Sequence, residues 1–162
     1  MNDKEKIRAE ELMIGDLVRV NKDVSIKKGT TVEIRTIDAD REFYELKGCA
    51  TCVPVDNPDG LSRGVWLDYL EPIPLNDEIL QKNGFRRVGE RWGCGDELNS
   101  YYFGNGQDVD IHLPTNSDKY MLVIRDHVSP DPDYQLISRL KYVHKLQHAL
   151  KEYKYEKITI KL

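Results

Sequence analysis

The chain has 162 residues, of which 32% are charged, and its formal net charge is −4. This acidic balance gives the whole molecule no attraction to nucleic acid or membranes, and no apolar run approaches the length of a transmembrane helix. The charged N-terminus does not resemble a signal peptide, and three cysteines are too few for a secreted disulfide scaffold, so we expect a cytoplasmic protein.

Short strands and tight turns dominate the first seventy residues. A Gly-Asp turn precedes a strand over residues 17–20, and polar and apolar residues alternate over 31–37. Residues 38–41 are typical of a turn, and 43–46 of the next strand. About five such strands predict a small antiparallel β-barrel over residues 10–72. The opening Gly-Asp-Leu-Val-Arg-Val resembles the first strand of SH3-like barrels.

A short helix with two specified ends comes after this module. Pro72 and Pro74 favour an extended entry, since proline is excluded from a helix interior. Asn76 is a good N-cap, and Gly84 is typical of the left-handed residue that follows a helix end. We therefore predict a hinge helix over residues 76–83.

The second module, residues 73–162, combines helices with an antiparallel sheet. Alternating and aromatic segments separated by turns predict a meander with one wet face. Apolar residues recur with a helical period over residues 135–153, which predicts a long C-terminal helix. Residues 157–161 alternate as an edge strand. The predicted fold class is α+β, an SH3-like barrel followed by a helix–antiparallel meander–helix module.

Cys49 and Cys52 have the spacing of a zinc half-site or of a redox pair. A structural zinc ion needs four ligands, and only Cys94 and His112 are available as completions. A redox pair requires its first thiolate at a helix N-terminus, whereas this chain continues in extended form through Pro54. Two ordinary cysteines in a strand or loop are the simpler interpretation.

Two further groups have metal-ligand chemistry. Asp108, Asp110 and His112 would share one face of a strand and could bind a divalent ion or act in acid–base catalysis. Alternatively, these residues are simply the polar positions of a strand with one solvent-exposed face, where polar and apolar residues alternate. His144 and His148 are spaced i, i+4 on the lysine-bearing helix face, without the glutamate of zinc proteases, and are interpreted as surface residues. We predict no cofactor and no metal.

The end of the chain is basic, with seven basic and two acidic residues over 135–162. Lys141, Lys145 and Lys151 are therefore candidates for binding a phosphate backbone. The alternative is an ordinary solvated helix face.

Aromatic residues offer another candidate site. Some could form a ligand- or base-stacking platform. Burial in a core or in half-buried strands is the simpler interpretation for most of them. The candidates are Trp66, Trp92, Tyr101, Tyr102 and Phe103.

Three stretches carry a family resemblance: ELMIGDLV at residues 11–18, LEPIPL through NGF at 70–85, and LKYVHKLQ at 140–147. In this order they resemble a family of small uncharacterised proteins of Bacteroidetes-type bacteria and their mobile elements. The resemblance implies a cytoplasmic bacterial accessory protein, associated with phages or transposons. It carries over no catalytic residue, and it favours a structural role for His144 and Gln147, which lie in the shared stretch.

These patterns support three function hypotheses. The first is a non-enzymatic protein-interaction or adaptor module, because no catalytic constellation is visible. The second is nucleic-acid binding through the basic C-terminal helix. The third is a metal-dependent hydrolase that uses Asp108, Asp110 and His112. We expect an unknown protein partner and no membrane partner.

Overall fold

The computed structural model describes residues 7–91, 97–103, 109–114, 117–125, 134–152 and 158–162. Within these ranges the fold is α+β, with two antiparallel five-stranded sheets and two α-helices. The chain divides between Ile73 and Pro74 into two compact units. None of the helices in this part of the chain is long and apolar enough to cross a membrane.

The first unit contains one sheet and two single-turn 3₁₀ helices, Ala9–Glu11 and Leu67–Tyr69. The spatial order of its strands is β4-β3-β2-β1-β5, so the last strand pairs with the first. The strands are β1 (Leu17–Val20), β2 (Thr31–Phe43), β3 (Leu46–Pro54), β4 (Arg63–Trp66) and β5 (Leu70–Pro72).

The structure confirms the predicted strand over residues 17–20 and corrects the prediction for the next hairpin. The predicted turn at residues 38–41 is wrong, because β2 continues through it to Phe43. The pairing register with β3 shifts along this stretch: Asp38 pairs with Cys49, and Glu42 pairs with Lys47. β2 therefore has more residues than β3 between these two pairs, which is a β-bulge. Residues 38–43 are all exposed, so no buried side chain requires them to keep the regular alternation of a strand. A bulge can therefore form here without loss of core packing. The predicted strand at 43–46 is instead the reversal between β2 and β3.

The core of the first unit is built from inward-facing residues of all five strands. Alternation along each strand sends every second side chain to this side of the sheet. Burying one such aliphatic side chain stabilises the fold by about 1.5–3 kcal/mol. The cluster comprises Ile7, Leu12, Val18, Val20, Ile26, Val32, Ile34, Ala50, Cys52, Val65, Leu67 and Leu70.

The second unit contains the other sheet and both α-helices. The spatial order of its strands is β10-β9-β8-β7-β6, so each strand pairs with its neighbours in sequence. The elements are α1 (Asp77–Lys82), β6 (Phe85–Arg91), β7 (Glu97–Phe103), β8 (Val109–Pro114), β9 (Tyr120–Arg125), β10 (Tyr134–Leu140) and α2 (Val143–Glu152).

The two ends of α1 form as the sequence predicts. Asn76 is the N-cap, and its side-chain Oδ1 accepts a hydrogen bond from the Ile79 N–H at 2.9 Å. Gly84 follows the helix with φ +85°, a conformation that favours glycine. Leu80 is fully buried and fixes the packed side of this short helix.

The predicted helix over residues 135–153 is wrong in its first half. Tyr134–Leu140 is strand β10, paired antiparallel with β9, and α2 begins only at Val143. A register shift between Leu136 and Ser138 interrupts the ladder. The bulge interrupts the alternation of polar and apolar residues that is typical of a strand. The apolar residues are therefore spaced as in an amphipathic helix, which is why the sequence predicts a helix here.

The predicted edge strand at residues 157–161 is replaced by side-chain pairing in the described part, residues 158–162. The Lys161 N–H donates to Asn83 Oδ1 at 2.6 Å, and Asn83 Nδ2 donates to the Lys161 carbonyl at 2.7 Å. Lys82 Nζ donates to the carbonyl of Leu162. One side-chain amide thus supplies the donor and the acceptor that a neighbouring strand would offer.

Candidate interaction surface on the first sheet

The first sheet has an outer face, defined as the face opposite its hydrophobic core. Ala50 and Cys52 on β3 both belong to the core, and Cys49 lies at an odd separation from Cys52, which directs it to the outer face. Asp38 on β2 and Trp66 on β4 pair directly with Cys49. The register therefore places a carboxylate, a thiol and an indole in one row across three strands.

The neighbouring row consists of small side chains. Thr51 pairs with Gly64 on one side and with Thr36 on the other. The Thr36 hydroxyl donates to Thr51 Oγ1 at 2.8 Å. A Cβ at Gly64 would make an ordinary contact with Cys49 Sγ at 3.6 Å, and Gly64 itself is exposed, so this position is accessible from solvent.

Aromatic rings collect at the hairpin end of the same face. Phe43 stacks on Trp66, with ring centroids 6.4 Å apart and planes at 20°. Tyr44 meets Phe43 edge-on at 4.6 Å. Phe43 is 58% exposed and Tyr44 is 91% exposed, while Trp66 is half-buried. We call Phe43, Tyr44 and Trp66 the aromatic surface.

Tyr44 has a backbone conformation that few tyrosines adopt. Phe43 pairs with Leu46, so Tyr44 and Glu45 form a two-residue hairpin loop. Such loops need positive φ at a central residue and normally place glycine or asparagine there. Tyr44 occupies that position with φ 55°. Residues other than glycine are strained in this region by about 1–2 kcal/mol.

Gly48 shapes the strand behind this hairpin. Its φ is +68°, and a Cβ at this position would lie only 2.6 Å from Leu67 Cδ1. It lies on β3 opposite the stretch where β2 carries its extra residues. A bare backbone at this point allows β3 to pass close to Leu67 where β2 bulges.

The hairpin is acidic. Residues 38–47 include four acidic and two basic side chains. One of the bases, Lys47, pairs with Glu42 at 3.6 Å. The other, Arg41, lies with its guanidinium carbon 5.6 Å from the centroid of the Trp66 ring, which is cation–π range.

The two cysteines do not form a metal or redox pair. Cys49 and Cys52 are free thiols, and their odd separation directs them to opposite faces of β3. Burial, with a smaller contribution from Cys49, raises the pKa of Cys52 to about 12. Such a thiol is protonated and inert at neutral pH. Among the described residues no group of three or more His, Cys, Asp or Glu could hold a metal ion.

The described residues cover only part of the proposed acidic–histidine face on β8. Asp108 lies outside the described residues, and only the backbone of Asp110 is described, in β8. His112 is 2% exposed, and its neighbour Ile111 is fully buried. The prediction that His112 faces water is therefore wrong, because β8 is covered on both faces at this point.

His144 is also buried, contrary to its predicted surface position. It is 2% exposed and stacks parallel to Tyr142, with centroids 5.8 Å apart and planes at 6°. His148 meets it edge-on at 5.8 Å. Aromatic packing thus accounts for the position of this imidazole.

The three candidate lysines do not share one surface of α2. Lys141 precedes the helix, and its Nζ lies 3.6 Å from Asp118 Oδ2. Lys145 and Lys151 lie six residues apart on the helix, which separates their directions by about 120°. Lys151 is exposed and Lys145 is half-buried.

Of the aromatic candidates whose side chains the structure describes, Trp66 belongs to the aromatic surface and Tyr101 and Phe103 do not. Tyr101 is buried in the second unit, and Phe103 packs on Phe85 with centroids 5.3 Å apart. Trp92 lies outside the described residues, and only the backbone of Tyr102 is described.

Sequence reasoning missed Phe43 and Tyr44, which it assigned to a strand. The available signal was an aromatic pair beside the chain reversal, with no glycine or asparagine to supply positive φ. That signal can be interpreted only after the reversal has been located.

No protein-family model, curated protein or solved structure matches the chain.

Proposed function

We propose that this protein is a non-enzymatic protein-interaction or adaptor module that binds its partner through the aromatic surface. One observation carries the proposal: Tyr44 is 91% exposed and has positive φ. Glycine would avoid the strain at this position, and the tyrosine ring is left almost entirely in water. Strained residues cluster at functional sites, and an exposed tyrosine offers a large contact area to a partner.

We further propose that the first unit is an SH3-like barrel. Its edge strands β4 and β5 both contribute to one core, through Val65 and Leu70. Two register shifts in the 13-residue strand β2 supply the bending that such a wrapped sheet requires. The second unit, in this proposal, is the helix–meander–helix module.

The proposed class is a bacterial accessory protein of the cytoplasm, as the family resemblance implies.

A display library of random peptides tests the interaction proposal directly. Peptides enriched on the wild-type protein are measured against a double variant, Phe43→Ser with Tyr44→Ser. We expect a loss of affinity of about tenfold or more, because exposed aromatic anchors dominate such contacts. Leu61→Ser is the matched control, since Leu61 is 75% exposed in the same unit but lies outside the aromatic surface.

Two results contradict the proposal. One is enrichment of peptides that bind the double variant as tightly as the wild type. The other is failure of the selection to enrich any peptide.

Nucleic-acid binding by Lys141, Lys145 and Lys151 is the alternative proposal. Its support is the exposed Lys151 in the last turn of α2, and against it stands the pairing of Lys141 with Asp118. A gel-shift titration at low salt separates the two proposals, since backbone binding weakens steeply with salt. A metal-dependent hydrolase gains no support from the buried His112.

A further inference from the structure

We infer that the partner presents a cationic side chain, arginine or lysine in an extended segment, to Trp66 and Asp38. This inference rests on the proposed function and specifies the chemistry of the partner. It is carried by three features of the outer face: an internal cation on the indole ring, a carboxylate in the same row, and an open position beside them.

The internal cation is Arg41. Its guanidinium carbon lies 5.6 Å from the Trp66 centroid, although the Arg41 side chain is exposed to water. The indole ring therefore already accepts a guanidinium group in the unbound protein. Tryptophan is the aromatic residue that binds cations best.

The carboxylate is Asp38. It is exposed and pairs with Cys49, which pairs in turn with Trp66. Because β3 lies between them, Asp38 and Trp66 are about 10 Å apart on the same face, a span that one long cationic side chain can bridge. The excess of acidic residues over 38–47 adds a local field that favours a cation.

The open position is Gly64, which precedes Trp66 on β4 by two residues and therefore shares its face. The floor beside it consists of the half-buried Thr51 and the buried Cys49. An aliphatic stem of arginine or lysine can lie along this shallow floor while its charged end reaches the indole ring.

The competing position of Arg41 gives the inference a specific consequence. A partner cation must take the place of the guanidinium of Arg41 on Trp66. Removing this internal competitor by Arg41→Gln should raise the affinity for a cationic peptide, because the ring face is then open to the partner's cation.

The test uses a capped peptide, Gly-Ala-Arg-Ala-Gly, titrated into the ¹⁵N-labelled full chain and followed by amide chemical shifts. The matched probe carries citrulline, which keeps the shape of arginine and lacks its charge. We expect saturable shifts over residues 36–43, 49–51 and 63–66, with citrulline binding about fivefold more weakly. A lysine peptide should bind as the arginine peptide does.

Variants assign the binding to named groups. Asp38→Asn should weaken the arginine peptide about threefold, and Arg41→Gln should strengthen it by a similar factor. Asp56→Asn is the control, an exposed acid in the loop after β3. Unchanged amide spectra away from the substituted site verify folding of each variant.

Equal affinity for the citrulline and arginine peptides would overturn the inference. So would the absence of saturable shifts with the arginine peptide, or an unchanged affinity in both Asp38→Asn and Arg41→Gln. The proposed function remains supported after any of these outcomes if the library peptides still lose affinity when Phe43 and Tyr44 are replaced. If library binding is also indifferent to those two residues, the proposed function fails as well.

Discussion

The two sheets contain five antiparallel strands each but are connected differently. In the first, β5 returns to pair with β1, so residues far apart in sequence are neighbours: Val18 pairs with both Val32 and Pro72. In the second, every pairing joins strands that are consecutive in sequence. The first sheet therefore depends on non-local contacts that must form together, and the second on local ones.

The sheets also place their aromatic residues differently. The first exposes Phe43 and Tyr44 at a hairpin, whereas the second buries Phe85 and Tyr101. The same residue types thus serve packing in one unit and are presented to solvent in the other. In the first unit the exposed rings lie at the chain reversal, Phe43 at the end of β2 and Tyr44 in the two-residue loop that follows.

Matched phenylalanine truncations give the largest expected contrast. Phe85→Ala should lower the free energy of unfolding by about 4 kcal/mol, because it leaves a cavity at a fully buried site. Phe43→Ala should lower it by less than about 1 kcal/mol, since its ring is mostly exposed. Urea denaturation measures both. Equal losses would show that Phe43 is a structural residue and would remove it from the candidate site.

Two glycines with positive φ come next. Gly48→Ala should cost about 2–3 kcal/mol, because backbone strain adds to the overlap with Leu67. Gly84→Ala should cost about 1 kcal/mol, since its Cβ would meet Phe103 only at 3.4 Å. Thermal melts compare the two variants. A milder effect at Gly48 than at Gly84 would mean that Leu67 moves aside without loss.

The asparagines at the two ends of α1 have different roles: Asn76 caps the helix, and Asn83 holds the C-terminal residues through Lys161. Asn83→Ala should cost about 1–2 kcal/mol and speed amide exchange over residues 158–162, because both hydrogen bonds to Lys161 are lost. Asn76→Ala should cost about 1 kcal/mol through its lost cap and leave that exchange unchanged. Hydrogen exchange read by mass spectrometry checks the contrast. Identical exchange in both variants would contradict the tether.

The last comparison depends on pH and concerns the thiol of Cys52. Its pKa is raised from 9.0 to about 12, so the folded state retains a proton that the unfolded state releases. The resulting stabilisation is present below pH 9.0 and is lost between pH 9.0 and about 12, by at most about 1.4 kcal/mol per pH unit. Tyr120 adds a slope of the same sign above its ordinary pKa, for its pKa is raised as well, chiefly by burial.

The control for this pH dependence is Cys52→Ala, which keeps Tyr120 and removes the thiol. Its unfolding free energy should fall less steeply than that of the wild type as the pH rises above 9.0. Parallel slopes in the two proteins would show that the thiol does not titrate in the way its burial requires.

The features that the sequence predicted are those determined by local chemistry. Asn76 and Gly84 could be assigned because a cap and a left-handed glycine act within one helical turn. Strand β1 could be assigned from its own β-branched residues and the turn before it. β10 could not, because its bulge depends on pairing with β9 and leaves a spacing that a helix would share.

The candidate site and the buried histidines were harder to predict for the same reason. His112 and His144 are polar, and only tertiary packing covers them. The row from Asp38 to Trp66 requires the register of three strands, which two shifts in β2 alter. The sequence contained the residues of the aromatic surface but not the pairing that assembles them.

Tyr44 creates a position where stability and recognition make opposite demands. A glycine there would relieve the positive φ and lose the exposed ring. Random variants sorted by heat resistance should accordingly accumulate glycine at this position, while variants sorted by peptide capture should keep an aromatic residue. The two sorting regimes would diverge at one residue of the hairpin, which is the trade-off expected where function depends on a strained conformation.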